Sequence, residues 1–167
     1  MAAWCLWPAV AHARWSPQAA ERIAADRDLI LAAAYATDTD PAVLAAIAGH
    51  ETHALPIPST GLDADGVPLD WGVCQVRWRA WGEDLAEVGI ARRPEDLLDP
   101  GLGWLAGAWV WAEKRRLYGR GKTLALRLCI YSVGSAALSY VEDCAYARAV
   151  LANLPRARRA LTHGATR

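Results

Sequence analysis

The chain of 167 residues contains no phenylalanine and one methionine, and its eighteen acidic residues cancel its eighteen basic ones. Because it has no net basic charge, it lacks the overall field that nucleic-acid binders use, and we predict no nucleic-acid partner. The composition is 54% hydrophobic and 22% charged, which excludes general disorder. A chain of this length is sufficient for one domain with a sizeable core.

Closely spaced cysteines are also absent. Cys5, Cys74, Cys129 and Cys144 form no CxxC pair, which argues against a structural zinc site. Free buried thiols and one or two disulfides both fit the sequence, with Cys74–Cys129 and Cys129–Cys144 as the candidate pairs. We predict no metal site and no cofactor.

No apolar run is long enough to cross a membrane. The longest one inside the chain, GLGWLAGAWVWA, covers residues 101–112, whereas a membrane helix needs about 20 residues. We therefore expect a buried helix and no transmembrane segment. Residues 1–20 are treated as an N-terminal segment, because MAAWCLWPAVAHA is apolar and ends in a small-x-small pattern but has no basic leader. An abbreviated signal peptide of thirteen residues and an ordinary first segment both remain open.

What is present is mainly helical periodicity. Asp40-Pro41 and Asp99-Pro100 each combine a capping carboxylate with proline at the first helical position. Gly103 in the second of these helices, together with Gly107, predicts the close approach of another helix. The predicted helices cover residues 17–37, 41–52, 72–80, 100–118, 122–131 and 136–154.

One small irregular β-hairpin is predicted within residues 55–70, around the turn sequence Asp65-Gly66. The expected fold is therefore mainly α with a minor β element, in one domain over residues 21–154. Residues 155–167 contain four arginines and are predicted to form a basic, flexible tail.

The sequence GHETH, residues 49–53, places a glutamate between two histidines at the end of an apolar helix. At 100° per residue, Leu44, Ile47 and Glu51 lie on one side of that helix. Burial there raises the pKa of a glutamate above its usual value of about 4.3. A carboxyl group that stays protonated near neutral pH can act as the proton donor of a glycosidase. The alternative is a frayed helix end where Glu51 pairs with His50 or an arginine. A zinc motif is disfavoured, because the two histidines are three residues apart and HExxH needs four.

Four segments follow one another at compatible spacing: AAIAGHET (45–52), DWGVCQV (70–76), LLDPGLGWLAGAW (97–109) and ALRLCIYSVGS (125–135). This succession resembles the soluble lytic transglycosylase domain family. Members carry a Glu-Ser pair, a Gly-Leu-Met-Gln-like segment, a helix that begins with Asp-Pro and contains a Gly-Ala pair, and an Ala-Tyr-Asn-x-Gly segment. The resemblance covers about residues 27–151, and relatives in secretion systems and phages are of similar size.

The resemblance implies a goose-lysozyme-like fold and the cleavage of peptidoglycan glycan strands by one catalytic acid/base, Glu51. Thr52 stands where the family usually has serine, and Gln75 matches the glutamine that binds the sugar amide groups. Tyr131 matches the tyrosine that hydrogen-bonds near the catalytic carboxyl and positions it. Ser132 replaces the family's asparagine, which puts the efficiency of the reaction in doubt. Thr52, Gln75, Tyr131 and Ser132 are thus the expected substrate-binding group.

The implied reaction cuts the β-1,4 bond between N-acetylmuramic acid and N-acetylglucosamine and forms a 1,6-anhydro ring. It takes place in the cell envelope or periplasm after export, or after delivery by a phage, with secretion-apparatus or phage components as partners. A hydrolysing muramidase would need a second carboxylate, and a non-catalytic peptidoglycan-binding or assembly protein is a further alternative. The candidate second carboxylates are Asp63, Asp65 and Asp70. The candidates for lining a glycan groove are Trp71, Trp78, Trp81 and Trp104.

Overall fold

The computed structural model describes residues 15–139 and 144–163. This part of the chain is mainly helical with one two-stranded antiparallel sheet, as the sequence predicted. Two 3-10 segments, Pro94–Leu98 and Gly134–Ser139, join the larger elements. The larger elements are α1 (Pro17–Ala25), α2 (Arg27–Ala36), α3 (Pro41–Glu51), β1 (Asp70–Trp71), β2 (Val76–Arg77), α4 (Trp78–Glu87), α5 (Pro100–Tyr118), α6 (Leu124–Val133) and α7 (Ala145–His163).

Local capping explains where α3 and α5 begin. The carboxylates of Asp40 and Asp99 accept hydrogen bonds of 2.8 and 3.0 Å from backbone N–H groups of the first turn. In each helix proline follows in the first turn, where a backbone N–H would have no acceptor within the helix, so its absence costs no hydrogen bond. The helices predicted from residues 41 and 100 are therefore confirmed, and Thr123 caps α6 in the same way.

Helix α3 lies at the centre of the core. Every residue from Ala42 to Gly49 is buried, including the fully enclosed side chains of Leu44 and Ile47. A helix that is apolar on all sides must be surrounded, and α1, α2 and α7 pack against it. Glu51 is the last residue of this central helix, so its side chain emerges where the enclosed segment ends.

The first predicted helix, residues 17–37, is divided at Asp26 into α1 and α2. The carboxylate of Asp26 accepts a hydrogen bond of 2.9 Å from Nε1 of Trp104 on α5. Periodicity could not show this break, because the residue that meets Asp26 lies 78 positions away in the chain.

The β element differs from the predicted hairpin. Strands β1 and β2 pair with Asp70 opposite Arg77 and Trp71 opposite Val76, and the preceding loop contributes only isolated bridges. The helix predicted over residues 72–80 is wrong for residues 72–77, since residues 72–75 form the turn between the strands and the helix begins only at Trp78. Gly72 (φ +76°) occupies the left-handed region, which a right-handed helix does not use.

Gly107 allows this turn, rather than another helix, to approach α5, and Gly103 does the same for the 3-10 segment Pro94–Leu98. A Cβ atom on Gly107 would overlap the side chain of Cys74, and one on Gly103 would lie 2.7 Å from the carbonyl oxygen of Leu97. The turn at residues 72–75 is therefore held directly against α5, close to the end of α3.

The boundaries predicted for the domain are too narrow. Trp15 and Ala19 are buried, so the core begins before residue 21. The flexible tail predicted from residue 155 is wrong for residues 155–163, because α7 continues through Pro155 to His163. Its last turns bury Ala157, Ala160 and Leu161, and Nε of Arg27 donates to the carbonyl oxygen of Leu161 at 2.9 Å. The proposed signal peptide and Cys5 lie outside the described residues.

Within residues 15–139 and 144–163, no single helix combines the length and the apolar character needed to cross a membrane. Helices α2 and α3 meet that test only as a pair bent by 119°.

Candidate functional site

The site is built around Glu51, where α3 stops. Thr52 leaves the helical conformation, and His53 and Ala54 have φ values of +56° and +60°, so the chain turns away at once. The Glu51 side chain is consequently half-buried at the rim of the core, neither enclosed on all sides nor open to bulk water.

Thr52 fastens the end of α3 to the turn at residues 72–75. Its hydroxyl donates to the carbonyl oxygen of Val73 at 3.0 Å and accepts from the backbone N–H of Leu55 at 3.0 Å. Thr52 is only 5% exposed. The predicted role in substrate binding is therefore not supported by the geometry, and Thr52 instead fixes the position of its neighbour Glu51.

The hydrogen bond to the Glu51 carboxyl comes from Tyr146, near the start of α7. Its hydroxyl donates to Oε1 of Glu51 at 2.7 Å, and its ring meets the His50 ring edge-on with 4.9 Å between centroids. This residue was not among those predicted from the sequence. Tyr146 precedes the buried Val150 by four residues and so shares its helix face, which is a signal that could have marked it as a candidate.

The hydroxyl of Tyr131 bonds to the turn beside Glu51 and not to the Glu51 carboxyl. Its hydroxyl donates to the carbonyl oxygen of Cys74 at 2.8 Å, so it secures the same turn that Thr52 holds from the other side. Burial raises the pKa of Tyr131 well above 10, which keeps the hydroxyl protonated as a donor. Tyr131 was expected to hydrogen-bond near the catalytic carboxyl and to position it; its hydroxyl bonds to the adjoining turn, whereas the hydrogen bond to the carboxyl itself comes from Tyr146.

Gln75 lies in the turn with φ +50° and a half-exposed side chain. Its Nε2 donates to the carbonyl oxygens of Ile57 and Gly72, both at 3.0 Å. These two bonds set the direction of the amide. Among the described residues Oε1 accepts no hydrogen bond, so it is available to an N–H donor of a ligand. Ser132 is exposed on α6, and the described contacts do not link it to Glu51.

The tryptophans divide into core and cleft residues. Trp104 is fully buried, and Trp71 is 7% exposed with its Nε1 donating to the carbonyl oxygen of Pro68. Trp78 is half-buried and packs against the core. The rings of Trp81 and Trp109 meet edge-on with 5.9 Å between their centroids. Both residues line a cleft of about 380 Å³ between α4 and α5. Of the four predicted candidates, Trp81 lines this cleft, and Trp109 joins it as a residue that the prediction missed; the lining of the cleft does not include Glu51 or Gln75.

Charged side chains from two further elements act on the site. Arg77 on β2 makes two hydrogen bonds to the carboxylate of Asp70 on β1, at 3.0 and 3.1 Å. The ammonium group of Lys114 on α5 donates to the carbonyl oxygen of Tyr131 at 2.6 Å. It also lies 5.0 Å from the Tyr131 ring centre and 5.9 Å from that of Trp81.

Burial raises the pKa of Glu51 from 4.5 to about 7, the direction that the sequence predicted. The hydrogen bond from Tyr146 opposes this rise, the negative charge of Asp70 adds to it, and the positive charge of Lys114 opposes it. Burial also lowers the pKa of Lys114 to about 8, although the charge of Glu51 works against that change. Near pH 7 the carboxyl of Glu51 is therefore divided between its acid and base forms.

The three candidate second carboxylates differ in their surroundings. Oδ1 of Asp63 accepts from the backbone N–H groups of Asp65 and Val67 at 2.9 Å, which is turn chemistry. Asp65 is exposed at the same turn. Of the three, only Asp70 contributes to the raised pKa of Glu51, and Arg77 neutralises it.

A disulfide joins Cys129 on α6 to Cys144 just before α7, and Cys74 is a free, buried thiol. Of the two predicted pairings, the structure contains the second. In the described part of the chain, no three His, Cys, Asp or Glu side chains are grouped so that they could hold a metal ion.

Together these residues form a proton-donor site: one carboxyl group with a raised pKa, one phenol bonded to it and a free amide oxygen in the adjoining turn. Comparison with protein-family models and with curated proteins gives no match for this chain.

Proposed function

We propose that the protein is a peptidoglycan lytic transglycosylase with a goose-lysozyme-like fold, in which Glu51 is the single acid/base. The observation that carries this proposal is a half-buried carboxyl whose pKa of about 7 leaves a large fraction of it protonated at neutral pH, fixed in place by Tyr146. An acid with a pKa near the working pH is suited to both donating and accepting a proton in one cycle.

The hydrogen bond from Tyr146 decides which oxygen of Glu51 delivers the proton. Because the phenol donates to Oε1, that oxygen acts as an acceptor, and the acidic proton belongs on Oε2. Oε2 gives it to the glycosidic oxygen while the bond to the anomeric carbon of the muramic acid breaks. The resulting carboxylate takes the proton of the 6-hydroxyl group, whose oxygen closes the 1,6-anhydro ring. Glu51 ends the cycle protonated, and no water is consumed.

Two neighbouring features fit a glycan strand. Oε1 of Gln75, held by the two bonds from its amide nitrogen, can accept the N–H of an acetamido group. The Trp81–Trp109 pair offers aromatic faces for sugar rings in the cleft between α4 and α5. A substrate role for Ser132 remains a prediction, as does a location in the cell envelope with secretion-apparatus or phage partners.

A hydrolytic muramidase is the second candidate, because Asp70 acts electrostatically on Glu51. Such an enzyme would use Asp70 to activate or replace a water molecule. The two hydrogen bonds from Arg77 engage both oxygens of the Asp70 carboxylate, which leaves them less free to bind a water molecule and favours the single-carboxylate reaction.

The test is mass analysis of the muropeptides that the protein releases from purified peptidoglycan. Anhydro products support the proposal, reducing ends support the hydrolase, and no product at all contradicts both. Glu51→Gln should lower the rate about a thousandfold or more, since it removes the only proton donor. Glu21→Gln, an exposed substitution on α1, is the matched control and should leave the rate unchanged.

A further inference from the structure

The Cys129–Cys144 disulfide lies next to the group that holds the candidate acid. Cys129 is buried on α6, and Cys144 immediately precedes α7, with 6.0 Å between their Cα atoms. The backbone N–H of Arg148 donates to the carbonyl oxygen of Cys144 at 3.1 Å. The N–H of Ala147 lies 3.5 Å from the Cys144 sulfur. Cys144 therefore caps the first turn of α7 and, through the disulfide, attaches that turn to α6.

Tyr146 belongs to this same turn, two residues after Cys144. The first turn of a helix has N–H groups without helical partners and frays readily unless something secures it. The 2.7 Å bond to Glu51 requires that the phenol be placed to within a few tenths of an ångström. The covalent link to α6 supplies this restraint close to the phenol.

We propose that the Cys129–Cys144 disulfide is a positioning group for the candidate acid, which holds Tyr146 against Glu51 and makes catalysis depend on the oxidised state. The activity in question is that of the proposed function, on which this inference rests. Reduction by a dithiol transfers two electrons and two protons to the bridge, leaving two cysteine thiols and a cyclic disulfide of the reductant. A chain kept in a reducing compartment is then weakly active, and the enzyme gains full activity where disulfides form.

The remaining anchors of α7 make the effect local. Val150, Leu154 and Ala157 are buried in the core, so the helix stays packed when the bridge opens. The free thiol of Cys74 is fully buried and burial raises its pKa, which keeps it out of thiol–disulfide exchange. Of the other groups that act on Glu51, Asp70 stands on β1 and Lys114 on α5, which the bridge does not join, although Lys114 also donates to the carbonyl oxygen of Tyr131 on α6.

The experiment compares initial rates of muropeptide release, with and without dithiothreitol, for three proteins: wild type, Tyr146→Phe and the double variant Cys129→Ala/Cys144→Ala. Wild type should slow about tenfold on reduction, the size expected for one hydrogen bond to an ionisable group. The double variant should be slow under both conditions. Tyr146→Phe should also be slow and insensitive to the reductant, because the bond that the bridge protects is already gone.

Two kinetic outcomes overturn the inference. One is a wild-type rate that does not change although mass spectrometry shows the bridge reduced. The other is a further tenfold loss in Tyr146→Phe on reduction, since the bridge would then act elsewhere. Circular dichroism of reduced wild type, which carries no substitution, separates a local effect from unfolding.

A readout without turnover separates this inference from the proposed function. The carboxyl carbon of Glu51 is followed by ¹³C NMR through a pH titration of the oxidised and reduced proteins. Because the bond from Tyr146 lowers the pKa of Glu51, its loss on reduction should raise that pKa above about 7. A shifted titration without glycan cleavage supports the positioning role and contradicts the proposed function. Glycan cleavage together with an unshifted titration of Glu51 supports the proposed function and contradicts the positioning role of the disulfide.

Discussion

At the scale of single residues, the proposed proton transfer depends on how the surroundings of Glu51 set the balance between its protonated and ionised forms. Burial makes the largest contribution and favours the acid, whereas Tyr146 and Lys114 favour the carboxylate. An enclosed carboxyl without these two partners would be a poor acid, since its ionised form would have no stabilisation after proton transfer. The proposed acid/base role of Glu51 thus requires both desolvation and a small number of opposing groups.

Lys114→Met should raise the pKa of Glu51, because it removes a positive charge that stabilises the carboxylate. Activity that needs protonated Glu51 would then persist to higher pH, so the alkaline limb of the pH–rate profile would shift to higher pH. Lys114→Arg keeps the charge and should keep the limb near its original place. Lys122→Met, an exposed control, should have no effect. If the alkaline limb of the pH–rate profile stays in place in Lys114→Met, the ammonium group does not act on Glu51. Its role would then be only the hydrogen bond to the carbonyl oxygen of Tyr131 on α6.

The raised pKa of Glu51 also predicts a cost in stability. Between about pH 4.5 and pH 7 the folded state binds more protons at Glu51 than the unfolded state, so stability falls as pH rises. Glu51→Gln removes this loss and should be more stable than wild type at pH 8 by about 3 kcal/mol, at 1.36 kcal/mol per pKa unit. At pH 4 the two proteins should be equally stable. Denaturant unfolding at both pH values measures this, and an equal difference at both would show that ionisation of Glu51 is not the cause.

At the scale of secondary-structure elements, the helices with strong local signals are the ones that the sequence predicted. The Asp-Pro starts of α3 and α5 need only their own first turns, and both helices begin where expected. The turn at residues 72–75 has no such signal. Its shape depends on contact with α5 and on bonds from Thr52 and Tyr131, which come from 21 and 57 residues away.

Thr52→Val tests whether the end of α3 is held by this turn. The substitution keeps the side-chain volume but leaves the carbonyl oxygen of Val73 and the N–H of Leu55 without their partner. We expect a loss of about 2–3 kcal/mol in the free energy of unfolding, together with lower activity as Glu51 loses its fixed position. Thr162→Val, near the exposed end of α7, should change stability by less than about 0.5 kcal/mol. Equal losses of stability in Thr52→Val and Thr162→Val would contradict the conclusion that Thr52 holds the end of α3 to the turn at residues 72–75.

At the scale of the whole molecule, α7 runs from the predicted domain, residues 21–154, into the segment that was predicted to be a separate tail, residues 155–167. It packs against α1, α3 and α6, carries Tyr146 at one end and buries Leu161 near the other. The prediction of a flexible tail from residue 155 followed from its four arginines. Proline inside a helix also removes a backbone hydrogen bond. Burial of the apolar side chains beyond Pro155 offsets that loss, which composition alone cannot show.

Ending the chain after residue 154 should therefore destabilise the protein rather than trim a loose end. The deletion exposes surfaces covered by Ala157, Ala160 and Leu161 and removes the bond from Arg27, with an expected loss of about 3 kcal/mol or more. Thermal unfolding of this variant, compared with one that ends after residue 163, measures the difference. If the two unfold at the same temperature, the last turns of α7 do not contribute to stability.

By itself, the sequence determined where α3 and α5 begin, that Glu51 ends an apolar helix and that its pKa is raised, because capping and helical periodicity involve residues a few positions apart. Only the tertiary structure decided that Tyr146 rather than Tyr131 bonds to Glu51 and that Cys129 pairs with Cys144. Glu51 and Tyr146 are 95 residues apart, and their contact follows from the packing of α7 on α3. Such packing depends on the shapes of many side chains together, so no local pattern in the chain specifies it.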